Sequence, residues 1–457
     1  MFPAMKNSWN AALAGFIVVF LFIIISGTGG VLAAEKQLSL AGAVRLAFDN
    51  NYELKAYRNA LGAGKEDIGI ARGNLLPRIT FEERFMRTDN PTYAFMAKLN
   101  QERFAASDFA IDSLNRPAPV NDFQTTFSFE QPVFSRKAAL GLKMAKTEHA
   151  AQNEDYTRKR EEIALRVAQR YLSLLTASEY MKVAESAMED SKEHLRIAEL
   201  RYDSGLGLYS DTLRASTALN EAEQKLVSAR KNLSVAKRAL GLLLGLDEPV
   251  DAAEANVDIP VLDINYYTNA SRSRRDIKSL ETRTENVRNG IKLSEAGYLP
   301  YVGIGGSYQL NDHSAPFGAE GDSWQVTAFL RWELFDGTKR EHERAKAKYR
   351  AAEAQEQLNG LKSAVSFKVY EAYLSVDEAK KTTELSRAAM KSAEEGRRLV
   401  RVRYENSLSP IIDLLDAQIS LDNARASLVA RENEYRTAAV KLSYESGTIL
   451  KDLKLEK

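Results

Sequence analysis

The chain has no cysteine among its 457 residues, which excludes a disulfide framework, thiolate metal sites and lipidation on cysteine. Histidine is scarce. His149, His194, His313 and His342 share no ligand spacing, so no metal site, cofactor or catalytic set is expected from them. An excess of one charge is missing as well: the net charge is +1, which gives no electrostatic reason for a nucleic-acid partner. There is no P-loop and no nucleophile elbow. Gly303-Ile304-Gly305-Gly306 is only a fragment of a dinucleotide-binding pattern, set inside a strand with no helix after it, so no enzyme is expected. Proline is absent from Val133 to Glu248 and again from Phe317 to Ser409.

Long apolar runs are missing too, apart from one at the start. Lys6 is followed by an apolar stretch from Ala11 to Ile25, and Val31-Leu32-Ala33-Ala34 offers small residues for cleavage. The run is short for a membrane span. A secretory signal peptide over 1–34 is expected, with a retained anchor as the alternative. No helix of the exported chain is expected to cross a bilayer.

The proline-free intervals are rich in Ala, Leu, Glu, Lys and Arg, which favour helix. Leu219, Ala222, Leu226, Ala229, Leu233, Ala236, Leu240 and Leu243 form one heptad seam. Earlier, Ala164, Val167, Tyr171, Leu174 and Leu165, Ala168, Leu172, Leu175 form two adjacent seams. Two seams suit a helix with a neighbour on each side. Lys137 to Tyr202 predicts a rod of about 100 Å at 1.5 Å per residue. Ser39 to Pro77 and Ser210 to Gly245 predict rods of about 55 Å each, which stacked end to end match the long one. Thr338 to Tyr404, set against Thr268 to Gly297 plus Pro410 to Ser446, repeats the arrangement.

The chain is a tandem duplication. RYDSGLGLYSDTLRAS at 201–216 matches RYENSLSPIIDLLDAQ at 403–418: Arg201 with Arg403, Tyr202 with Tyr404, Leu206 with Leu408, Asp211 with Asp413, all 202 positions apart. Leu76-Pro77 corresponds to Leu299-Pro300 at the larger offset of 223, so the first half carries an insertion after its Leu-Pro pair. After each Leu-Pro come segments with alternating apolar residues. These predict four strands of about 10 residues, two per repeat, each with one apolar and one mainly polar face. Their length suits tilted membrane strands, and Phe127, Phe129, Trp324 and Trp332 are candidates for an aromatic belt, with both tryptophans placed in one strand. A soluble sheet with one buried face is the alternative. Four strands cannot close a barrel and open edges cannot face lipid, so three copies giving twelve strands are expected.

The duplication, the two Leu-Pro pairs, Gln131-Pro132-Val133-Phe134, Trp332-Glu333-Leu334-Phe335-Asp336-Gly337 and the two Arg-Tyr turns together resemble the TolC-like outer-membrane efflux factor family. The resemblance spans about Leu38 to Gly447. It implies a mainly α protein with a membrane β part: a homotrimer whose twelve-stranded barrel in the outer-membrane lipid continues into a long α-helical tunnel in the periplasm. Such a protein is the passive exit duct of an inner-membrane pump, reached through a periplasmic adaptor. A structural coiled-coil envelope protein is the alternative. The divisions expected are a first repeat at 35–247 with its hairpin at 77–133, a linker at 248–268, a second repeat at 269–447 with its hairpin at 300–335, and a tail at 448–457.

The breaks at 203–209 and 403–410 then read as hairpin tips. Gly205 is expected to take the left-handed conformation there, and Asn406 rather than Ser407 in the second repeat. Ser409 and Pro410 are expected at the N-cap and first turn. Gly205, Leu206, Ser407 and Leu408 are the candidate adaptor-docking tips. The resemblance implies that Asp413 and Asp416 ring the tunnel entrance and that Asp211 and Tyr404 take part in bonds that hold it shut. A plainer role for Asp211 and Asp413 is to complement the helix dipole. Where the resemblance implies a closing arginine, this chain has Ser409. The segments 88–122 and 311–322 are expected to be extracellular loops.

Overall fold

The computed structural model describes residues 36–253 and 259–455. The signal peptide expected over 1–34 lies outside the described residues. Two helices dominate: α5 (Arg136–Asp203, 68 residues) and α9 (Lys339–Glu405, 67 residues), each followed by a returning helix. To introduce the set in order, α1 is Leu40–Asn50, α2 Tyr52–Gly73, α3 Pro91–Asn100, α4 Ile111–Asn115, α6 Tyr209–Leu243, α7 Ile264–Ser271, α8 Arg275–Glu295, α10 Ile411–Ser446 and α11 Ile449–Asp452. Helix α5 pairs with α6, and α9 with α10; α5 also lies against α2, α8 and α10. Both of its seams are used. Ile163, Ala164, Val167, Ala168, Tyr171, Leu172, Leu174 and Leu175 are buried in the main core, against Leu40, Val44 and Ala47 of α1, Leu240, and Val440 of α10.

Each short upper rod is broken, where the sequence pattern predicts a continuous one. Asn51 ends α1, donating its N–H to the Ala47 carbonyl at 2.9 Å, and starts α2, accepting from the N–H groups of Glu53 and Leu54 at 3.0 and 3.1 Å. Its Nδ2 donates to the Leu243 carbonyl at 2.8 Å. Arg274, its counterpart at the same offset as the Leu-Pro pairs, separates α7 from α8 and donates to the Glu445 carbonyl at 2.7 Å. Both breaks are seated on the end of the returning helix, where Gly245 and Gly447 have φ of +74° and +78°. At Gly245 a Cβ would stand 2.6 Å from the Asn50 carbonyl oxygen, so only glycine fits. The second upper rod begins earlier than Thr268, because Asp263 caps Asn265 at 2.8 Å. The expected linker is also partly structured: β4 (Val250–Ala252) pairs in parallel with β1 (Lys36–Leu38).

A separate antiparallel sheet carries β2 (Arg78–Thr88), β3 (Val120–Phe134), β5 (Tyr301–Asp312) and β6 (Gly321–Arg331) in the order β2-β3-β5-β6. The register puts Phe81, Phe127, Tyr308 and Trp324 opposite one another in one row, and Ile79, Phe129, Gly306 and Val326 in the next. All four apolar sets therefore share a face. That face is not covered in the protomer: Ile79 is 78% exposed, Trp324 75% and Val326 70%. The opposite face carries Thr80, Glu82, Arg84, Gln124, Thr126, Ser128, Ser307, Gln309 and Gln325. The edge strands β2 and β6 have no partner on their outer sides among the described residues.

One expectation changes here. Trp332 lies beyond β6, and its Nε1 donates to the Tyr298 carbonyl at 3.1 Å; only Trp324 is in the strand. The 88–122 segment contains helical turns of its own. Asn90 accepts from the N–H groups of Thr92 and Tyr93 with Pro91 at the first helical position, a strong helix start, and Ala94 and Ala97 of the resulting α3 pack on Val120.

Candidate functional site

At the end of the rods away from the sheet, both helical hairpins turn through the same motif. In the first, the Gly205 N–H donates to the Tyr202 carbonyl at 2.9 Å and the Leu206 N–H to the Arg201 carbonyl at 2.8 Å. In the second, Ser407 donates to Tyr404 at 3.0 Å and Leu408 to Arg403 at 2.8 Å. This is the Schellman pattern, which needs one left-handed residue. Gly205 takes it with φ +71° and Ser407 with φ +59°. Asn406, favoured on propensity, stays at φ −90° and bonds back through Nδ2 to the Val402 carbonyl at 2.8 Å. The duplication fixes the position: 407 is the counterpart of 205. Helix α10 also begins one residue later than expected, with Pro410 as N-cap. Ser409 caps nothing, and its hydroxyl is buried without a hydrogen-bond partner.

The two tips are joined. Arg201 donates to the Tyr404 carbonyl at 2.8 Å and to the Ser407 hydroxyl at 2.9 Å, and its guanidinium stands 4.8 Å from the centre of the Tyr404 ring. Tyr404 is buried with Ala198, Ala215, Ile411, Leu414 and Leu415. Burial pushes its phenol up, Arg201 opposes this, and Asp211 adds to it. Asp211 is half-buried, 4.0 Å from Arg214. Asp413 and Asp416 are exposed, three residues apart and so on one side of α10. Leu206, Leu208, Tyr209 and Leu408 stand out at the turns, 72%, 68%, 57% and 69% exposed.

Behind the tip lies a polar layer that sequence reasoning missed. His194 of α5 is 1% exposed and lies 3.4 Å from Gln418 of α10. Gln418 donates to Asp190 at 3.1 Å and Asp422 at 2.9 Å, and Arg397 of α9 donates to Asp190 at 2.8 Å. Burial pushes the His194 imidazole down, with Gln418 and Asp190 pulling the other way. The signal was present: Ala184, Ala187, Ser191, His194 and Ala198 step by three and four along one buried seam.

A profile of the family described as "outer membrane efflux protein" matches residues 43–246 and 266–448. The alkaline protease secretion protein AprF of Pseudomonas aeruginosa is 23% identical over 437 residues, covering 90% of this chain and 85% of AprF. The outer membrane protein TolC of Escherichia coli is 22% identical over 448 residues, covering 94% of this chain and 86% of TolC. Among solved structures, a membrane protein from Pseudomonas aeruginosa superposes with a TM-score of 0.75 at 20% identity, over 90% of this chain and 91% of that one. VceC from Vibrio cholerae gives 0.71 at 17% identity, over 89% and 96%.

Proposed function

The chain belongs to the outer membrane efflux protein family, and from that premise we propose that three copies form a passive exit duct across the outer membrane and periplasm. The observation that carries this is the sheet: four strands with exposed apolar rows on one face, a polar reverse face and two open edges, at one end of a set of long helices. Such edges are not tolerated in lipid, and three copies would pair them into twelve strands with the apolar face outward. A coiled-coil envelope protein would have no use for this sheet. The repeats, read as 35–247 and 269–447, then supply one helical hairpin each to a ring of six.

In this reading Phe127, Phe129 and Trp324 meet the lipid, and the segments 88–122 and 311–322 face the outside. The tips, with Leu206 and Leu408, dock a periplasmic adaptor that delivers cargo from an inner-membrane pump. Asp413 and Asp416 line the entrance, and Arg201, Tyr404 and Asp211 hold neighbouring tips together. Relatives of the chain are named for protease secretion and for efflux, and one passive duct would serve either task. The test is light scattering of the purified protein in mild detergent, with gel migration before and after heating. A trimer with heat-modifiable migration is expected. A monodisperse monomer with a native far-UV spectrum would rule the reading out.

A further inference from the structure

At the end of the sheet away from the helices, β5 and β6 are joined by a short loop that gathers Asp312, His313 and Glu320. Asp312 is buried, at 6% exposure, and its two oxygens are used differently. Oδ1 is committed: it accepts from the Ser314 N–H at 2.7 Å, the Ser314 hydroxyl at 2.7 Å and the Ala315 N–H at 3.0 Å. Oδ2 accepts no hydrogen bond from the described residues. Glu320 is divided in the same way. Its Oε2 accepts from the His313 backbone N–H at 3.1 Å, while Oε1 faces His313 Nδ1 at 2.5 Å. Nδ1 is shut off from solvent and stands in ion-pair contact with that Glu320 oxygen. A buried carboxylate with a spare oxygen and a ring nitrogen set against a second carboxylate thus meet in one loop. Gly318 closes it, and a Cβ there would stand 2.1 Å from Asp312 Oδ2.

We propose that this loop is a binding site for a divalent transition-metal ion of the zinc class, held by Asp312, His313 and Glu320. One carboxylate oxygen from each acid and one imidazole nitrogen lie within 4.8 Å of one another. An imidazole nitrogen selects zinc, copper, nickel or iron over magnesium and calcium, which prefer oxygen alone. Tetrahedral ligands at about 2.1 Å from zinc sit about 3.4 Å apart. The widest pair therefore draws in by about 1.4 Å and the His313–Glu320 contact opens by about 1 Å, both within the reach of side-chain adjustment. The committed oxygens of both acids hold the free ones in place, the arrangement expected around a metal ligand. The ion would do structural work. Phe317, inside the loop, stacks on Phe81 of β2 at 6.2 Å between ring centres, so a metal that fixes the loop also pins it across the sheet.

The test uses tag-free protein in detergent, stripped with EDTA. It is titrated with ZnCl2 by calorimetry in excess MgCl2, which fills weak carboxylate sites, and with CoCl2 by visible absorption. One zinc per chain with a micromolar or lower Kd is expected, with a cobalt spectrum typical of nitrogen and oxygen ligands. His313→Ala and Glu320→Gln should each weaken that site at least tenfold and bleach the cobalt bands, with an unchanged far-UV spectrum. Wild-type protein that takes up no zinc saturably, or a His313→Ala protein that binds as the wild type does, would overturn the site and leave a simple His–Glu ion pair.

Discussion

Arg201 and Tyr404 are 203 positions apart in sequence, yet the Arg201 guanidinium donates to the Tyr404 carbonyl at 2.8 Å and covers its ring. The contact ties the last turn of the first long helix to the last turn of the second. Its other donor takes the hydroxyl of Ser407, the residue that occupies the left-handed position of the second tip. A cation at a helix C-terminus also complements the helix dipole there.

In the proposed duct, removing that guanidinium should loosen the entrance. Arg201→Ala is expected to raise single-channel conductance in planar bilayers, and Arg201→Lys to restore little of it, since an ammonium cannot reproduce a planar fork with two acceptors. By the duplication, Arg403 should reach the next copy's Tyr202 carbonyl, where Gly205 offers no hydroxyl. Arg403→Ala should therefore have the smaller effect. Equal conductance in wild type and Arg201→Ala would mean that the tie is incidental.

The glycines after the helices separate two costs. Gly205→Ala carries only the left-handed penalty of about 1–2 kcal/mol, because nothing lies within 4 Å of the added Cβ. Ser407 already carries that conformation in the second tip. Gly245→Ala adds a clash with the Asn50 carbonyl at 2.6 Å and should displace the α1–α2 break. Thermal unfolding followed by circular dichroism should place the Gly245 variant clearly below the Gly205 variant. The reverse order would show that the break does not depend on this contact.

The polar layer gives a pH dependence with a defined sign. His194 faces Asp190 and Glu193 on its own helix, Arg397 and Arg401 on α9, and Gln418 on α10, next to Asp422. Its folded pKa lies below the unfolded value of about 6.5, so folding disfavours the charged form. Stability is therefore full above about pH 6.5 and falls as pH drops toward the folded pKa. Asp422 acts oppositely: burial pushes its carboxyl up, so its protonation favours the folded state at lower pH. The melting temperature should fall between pH 7 and 5.5, and His194→Gln should flatten that slope. A slope that survives the substitution would locate the titration elsewhere.

Most of this architecture was legible because helices and strands write their periods into the sequence. The double seam at 164–175 announced a helix with neighbours on two sides, and the alternation around Phe127 and Trp324 announced a one-sided apolar sheet. The breaks at Asn51 and Arg274 were not legible, because neither is a Pro or Gly; each is set by a contact with the end of a helix far along the chain. At the tip, local propensity pointed to Asn406, but the hydrogen-bond pattern required Ser407. The grouping of Asp312, His313 and Glu320 was not legible either, because a turn, not a sequence spacing, brings Glu320 back to the other two.

The exposed leucines at the turns are the adaptor surface in this reading. Leu206→Asp and Leu408→Asp should abolish efflux or secretion in cells while leaving the yield of heat-modifiable trimer unchanged. Both side chains are about 70% exposed, so their loss should hardly affect folding. Loss of trimer together with transport would assign them to packing between copies instead.

Asp413 and Asp416 test the entrance itself. In the protomer both are exposed, and neither makes the kind of contact that Arg201 makes, so their value has to come from assembly or from the helix dipole. The two explanations differ in what they predict. If the acids only complement the start of α10, Asp413→Asn costs about 0.3–1 kcal/mol of stability and does nothing to ion flow. Asp416, a turn further in, should matter even less. If three copies bring six carboxylates around a narrow water-filled mouth, field lines concentrate there and multivalent cations bind and block. The double variant Asp413→Asn, Asp416→Asn should then keep its melting temperature within a few degrees and lose block by trivalent cations in planar bilayers. Ser409 sharpens the case, because its buried, unpartnered hydroxyl supplies no cation to neutralise the ring from within the tip. Block that persists unchanged in the double variant would remove the acidic ring and leave the dipole as the reason for both residues.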